Sequence, residues 1–148
     1  MYDRKYGERY SETKELSTTD IAKRIRTDIK TAIQNKQIPD IRTSVRTKYF
    51  SGGSSIDIEI VEMPFNPLNK TRIKEELDNP NEISHEDVYT AEAEQVKQFL
   101  KSIMNSYNYD GSDIMTDYFD VRFYGSVDIG FDFTEKCREQ IIQELSLN

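Results

Sequence analysis

An α+β domain is the fold class this sequence predicts. The expected order is α-β-β-α-β-α, with an antiparallel three-stranded sheet, four-stranded if its last segment folds back on itself, and helices packed on one face. Three observations carry the prediction. Ile21, Ile25, Ile29 and Ile33 recur every four residues; apolar and polar residues alternate on both sides of the segment Ser51 to Ser55; and Phe119, Val121, Phe123, Val127, Ile129, Phe131 and Phe133 are all odd-numbered. The first period belongs to a helix with one buried stripe, the other two to strands with one buried face.

Residues 1–16 are charged and poor in aliphatics, with Tyr2, Tyr6 and Tyr10 four apart, and read as a flexible arm ahead of a single domain, 17–148. Ser17 or a following threonine caps the first helix, and Asp20 lies in the first turn, where the dipole favours negative charge. Lys23, Arg26 and Lys30 fall off the isoleucine stripe, and Pro39 follows in the loop. Two strands come next. With Gly52 and Gly53 as a two-residue primed turn, Ser51 faces Ser54, Lys48 meets Asp57, Arg46 meets Glu59 and Val45 meets Ile60. A phosphate-binding loop would need a helix after the glycines, and a strand follows.

Residues 63–84 carry three of the four prolines and read as a Pro-rich surface excursion with a short helical turn at Lys70 to Leu77. The next helix is entered at Ser84 or Thr90 and buries Val96, Phe99, Leu100, Ile103 and Tyr107. The odd-numbered run Phe119 to Phe133 reads as one long strand bent at Gly125, and a final helix from Thr134 presents Ile141, Ile142 and Leu145.

At 148 residues the chain is about one domain long. No apolar run is long enough for a membrane span, and the charged start lacks the apolar stretch of a signal peptide, so a cytoplasmic location without membrane contact is expected. Cys137 and His85 are the only residues of their kinds, which leaves classical nucleophilic and thiolate-metal chemistry almost without parts. The expectation is a protein that is not an enzyme and uses no cofactor and no metal. Asn108, Asp110, Asp113 and Asp117 resemble a calcium loop only loosely: Ser106 stands at the first position and no glutamate closes the loop. His85, with Glu86 and Asp87, reads as the first turn of a helix, and Cys137 as a packing residue.

The net charge of −7 is unevenly shared. Up to Phe50 there are 12 Lys/Arg and 7 Asp/Glu; from Ser51 onward there are 8 and 20. Two candidate surfaces follow. The acidic one comprises Asp110, Asp113, Asp117 and Asp120 with Glu75, Glu76, Glu92 and Glu94; the basic one comprises Lys23, Arg26, Lys30, Arg42, Arg46 and Lys48, with Tyr49 and Phe50 nearby.

Ser44-Val45-Arg46, the turn Ser51-Gly52-Gly53-Ser54-Ser55 and the later set Tyr109, Asp110, Asp113, Thr116, Asp117 and Tyr118 resemble the pattern of large polyvalent protein-associated domain family twenty-nine. These are accessory domains of phages, plasmids and conjugative elements. The likeness runs from about Thr19 to Gly130 and departs from the family pattern in the excursion and in the charged arm. It implies a mobile-element setting and a role against host defences, and supplies no established activity or active site.

The leading expectation is therefore a non-enzymatic binder whose acidic surfaces occupy the basic groove of a host defence nuclease, of the CRISPR or restriction kind. The alternative is a nucleic-acid-binding accessory module that uses the basic first helix and the arm. Against it stand the expected cross-strand pairs, which would neutralise Arg46 and Lys48.

Overall fold

The computed structural model describes residues 5–112 and 120–146. The chain is α+β, with the elements β1 (Lys5–Tyr6), α1 (Tyr10–Thr13), α2 (Thr18–Gln34), β2 (Arg42–Phe50), β3 (Gly53–Glu62), α3 (Lys70–Asp78), α4 (Ala91–Asn105), β4 (Tyr109–Asp110), β5 (Tyr124–Ile129) and α5 (Phe131–Ser146). Ser17 caps α2, its side chain accepting from the Asp20 N–H at 3.1 Å, and Ile21, Ile25 and Ile29 are buried beneath the sheet. Thr90, not Ser84, caps α4. The segment Ser84 to Asp87 is not helical, because Tyr89 bridges to Leu68 and holds the chain extended until Thr90.

The sheet has the order β2-β3-β5 and is mixed, which corrects the antiparallel expectation. β2 and β3 are antiparallel, whereas β5 runs parallel to β3, with Ile58 beside Val127 and Ile60 beside Ile129. The crossover from Met63 to Phe123 contains α3 and α4, and a connection of that length lets a strand return in the same direction. β5 is also shorter than the alternation predicts. Gly130 donates its N–H to the Ile60 carbonyl and then accepts from Thr134, so α5 begins at Phe131 and the last two odd-numbered phenylalanines belong to a helix.

The hairpin closes through Ser51 and Gly52. Phe50 pairs with Gly53, Lys48 with Ser55, Arg46 with Asp57, Thr47 with Ile56 and Val45 with Ile58, so every expected partner moves by two residues. Of the two turn residues only Gly52 has positive φ, at 92°, so the turn is not of the primed kind. Both faces keep their composition. Val45, Ile56, Ile58, Ile60, Val127 and Ile129 lie in one core with α2 and α4, while Arg42, Arg46, Lys48, Phe50, Tyr124 and Asp128 stand exposed on the other side.

Residues 5–16 are packed rather than a free arm. β1 pairs antiparallel with β4, Gly7 and Arg9 donate their N–H groups to the carbonyls of Asn108 and Ser106, and Thr13 is fully buried. The fastener is Arg122. Its guanidinium donates to the carbonyls of Thr13, Leu16 (3.2 Å) and Tyr107 (3.0 Å) and lies over the Tyr10 ring at 5.0 Å. Burial lowers its pKa. The cation instead sits on carbonyls at the ends of α1 and α4, where the backbone dipoles concentrate negative charge. Arg9 donates to Asp28 and to the Tyr107 hydroxyl, and both partners raise its pKa.

The Pro-rich segment is not merely a surface excursion. Met63 is buried in the main core, and Leu68 and Ile73 join Cys137 and Ile141 in a second, smaller core where α3 packs on α5. Burial raises the Cys137 thiol pKa, as suits a packing residue.

Candidate nucleic-acid interface

The edge strand β2 organises the basic residues. Alternation on a strand places Arg42, Arg46, Lys48 and Phe50 on the open face, and Val45 on the core face. Arg26 of α2 reaches round that edge, its Nη2 donating to the Val45 carbonyl at 2.6 Å, so a helix cation and three strand cations share one border of the sheet. Arg42 is engaged by Glu62 at 3.0 Å, and Lys23 lies 3.8 Å from Asp20. Lys30 is exposed on α2.

The two-residue change of register alters the electrostatics. Lys48 stands opposite Ser55 instead of Asp57, and Glu59 stands opposite Ser44 instead of Arg46. Arg46 does face Asp57, but that carboxylate accepts from Ser126 Oγ at 2.7 Å and from Ser55 Oγ at 3.2 Å. Among the described residues no carboxylate lies within ion-pair distance of Arg46 or Lys48. The neutralisation expected from the sequence is absent there. Tyr49 turns to the helix-covered face, where its hydroxyl hydrogen-bonds Thr19 Oγ1 at 2.8 Å and accepts from the Thr19 N–H. Those bonds lower its pKa. The aromatic neighbour of Phe50 on the open face is instead Tyr124.

The acidic candidates are not drawn into one patch. Glu92 and Glu94 occupy the first turn of α4, which complements its dipole, while Asp110 lies beyond the other end of that 15-residue helix, about 22 Å long. Asp110 accepts from the Ser112 N–H; Asp120 is half-buried; Asp113 and Asp117 lie outside the described residues. Glu76 bridges Arg72 (2.9 Å) and Arg138 (3.0 Å), which hold its carboxyl below the usual range, and Glu75 accepts from Ser84 Oγ. His85 is exposed and lines a groove of about 260 Å³ with Glu75, Glu82 and Glu86. No group of three or more His, Cys, Asp or Glu among the described residues is arranged to hold a metal ion. Nor is any helix among them long and apolar enough to cross a membrane.

Sequence reasoning missed Tyr124 and Arg122. Neither carries a distinctive signal: Tyr124 precedes the strand glycine, and Arg122 lies between Val121 and Phe123 at an even position, where the alternation expects a polar residue. Comparison of the chain with protein-family models, with curated proteins and with solved structures gives no match in any of the three.

Proposed function

We propose that this is a non-enzymatic nucleic-acid-binding accessory protein whose binding surface is the β2 edge. The observation that carries the reading is that Arg46 and Lys48 are exposed with no carboxylate of the described residues within ion-pair distance, beside an Arg26 anchored on the Val45 carbonyl. Residues 17–50 hold eight bases and three acids, and at physiological salt a charge is felt over about 8 Å, so the local excess outweighs the net −7 for a phosphate at this edge. Electrophoretic mobility shift at low salt tests it. Binding should weaken as salt rises, with a slope of log affinity on log salt near −2 for about three phosphate contacts to a single strand. Absence of binding at low salt removes the reading.

A second reading is supported by α3 packing on α5. Segments 70–94 and 131–146 hold twelve acids and five bases, and α3 and α5, which lie within them, pack on each other, so this side of the molecule carries an acidic excess even though Glu76 is bridged by arginines. That side suits the basic groove of a host defence nuclease, a CRISPR effector or restriction enzyme, in the mobile-element setting that the family resemblance implies. Pull-down against such nucleases, with and without guide RNA, tests it, and reversing Glu82 and Asp87 to lysine should abolish capture. Capture that survives the reversal excludes this side as the contact.

A further inference from the structure

We infer that Phe50 and Tyr124 form a stacking platform for the unpaired bases of a single-stranded nucleic acid, which rests on the proposed role of the β2 edge and names its substrate class. The rings lie 5.9 Å apart at 39°, on the open face at the turn end of the sheet, and are 48% and 40% exposed. Gly53 lets the rings sit close to the strand. A Cβ there would stand 3.3 Å from Phe50 Cε2 and 3.4 Å from Tyr124 Cε2, so the two rings close over bare backbone. Side chains of this size are usually buried, yet among the described residues Phe50 and Tyr124 each keep two-fifths or more of their surface open.

Their surroundings select the occupant. Ser55 pairs with Lys48 on one side and with Tyr124 on the other, so one row across the sheet runs cation, hydroxyl, aromatic. Lys48 also lies two residues from Phe50 on the same face, about 7 Å along the strand. The acids of this face lie farther from the turn: Asp57, which accepts from the two serines, is one row away, and Glu59 and Asp128, neighbours of like charge, are two rows away. A polyanion with flat apolar faces is thus attracted at the turn end and repelled from the far end. Exposed aromatic faces beside cations bind single strands by stacking, whereas the bases of a duplex already stack on one another and offer only their edges.

The chain has no tryptophan, so Tyr124→Trp places a single reporter in the platform. A 12-nucleotide single strand, as DNA and as RNA, should quench its emission, while a duplex of the same sequence and an abasic strand should not. In anisotropy titrations Phe50→Leu with Tyr124→Leu should weaken single-strand binding ten- to a hundredfold, the loss of one to two stacked bases. Arg46→Gln with Lys48→Gln should weaken binding to single strand and duplex alike. A leucine pair that binds as the wild type does, or a duplex bound as tightly as the single strand, overturns the platform and leaves the basic edge standing. A wild-type protein that binds neither overturns both. Should the leucine pair lose its fold by circular dichroism, quenching in the tryptophan variant decides.

Discussion

Among the described residues, the core under the sheet gathers twenty buried residues from α2, the three strands, α4 and the segments that flank them, whereas the core under α3 holds four: Leu68, Ile73, Cys137 and Ile141. The larger is a layer of helix on sheet, in which each isoleucine touches neighbours from several elements. The smaller joins helices from distant parts of the chain, and Tyr89 and Phe133 pack against both cores. Apolar burial scales with the number of such neighbours, so the two cores should differ in the free energy that opens them. One fold thus contains a frame and an attachment to it.

The largest effect should come from the frame. Leu100→Ala, at a fully buried position of α4, should cost about 3–4 kcal/mol and shift the whole urea transition. Arg122→Met leaves three carbonyls without their donor and should cost about 2–3 kcal/mol. Its signature is faster hydrogen exchange at the amides of Gly7 and Arg9 before the sheet amides respond. Ile141→Ala should cost about 2 kcal/mol, near the lower end for such truncations because the smaller core can relax. Exchange should then rise in α3 and α5 while β2 and β3 keep their protection. Equal acceleration in both regions would mean that the cores open as one unit.

Smaller changes refine the contrast. Gly52→Ala forces a side chain to φ of 92° and should cost about 1 kcal/mol from the frame alone, whereas Gly53→Ala, at ordinary φ, should cost less and act chiefly by pushing Phe50 and Tyr124 apart. Acid should act on the attachment. Arg72 and Arg138 hold the Glu76 carboxyl below its ordinary value, so this group favours the folded state above the ordinary carboxylate range and that contribution is lost as pH falls through the lowered value. The loss, within about 1 kcal/mol for a partly exposed pair, should appear as exchange in α3 ahead of α2.

What could be read in advance follows the same division. The α2 stripe, the α4 stripe and the hairpin are written as periods in adjacent residues, and the structure has them. Registers two residues apart put the same residues on the same face, so alternation could not distinguish Arg46 opposite Glu59 from Arg46 opposite Asp57, and the choice fell to the turn. Alternation also carries no direction, which left the parallel β5 unread. Phe131 and Phe133 kept the strand phase by coincidence, while Gly130 and Thr134 set the helix boundary. The packing of residues 5–16 depends on Arg122 and on the end of α4, more than ninety positions away, and no local pattern announces it.

The clasp formed by Arg122 has a consequence for the order of synthesis. Residue 13 leaves the ribosome 109 positions before the side chain that fastens it, and at 5–20 residues per second it waits about 5–20 s for that partner. During this interval α2 and the β2–β3 hairpin, whose contacts span far shorter loops, can form beneath an unfastened leader. Residues 5–16 are therefore made well before the side chain that holds them and are among the last to find their place.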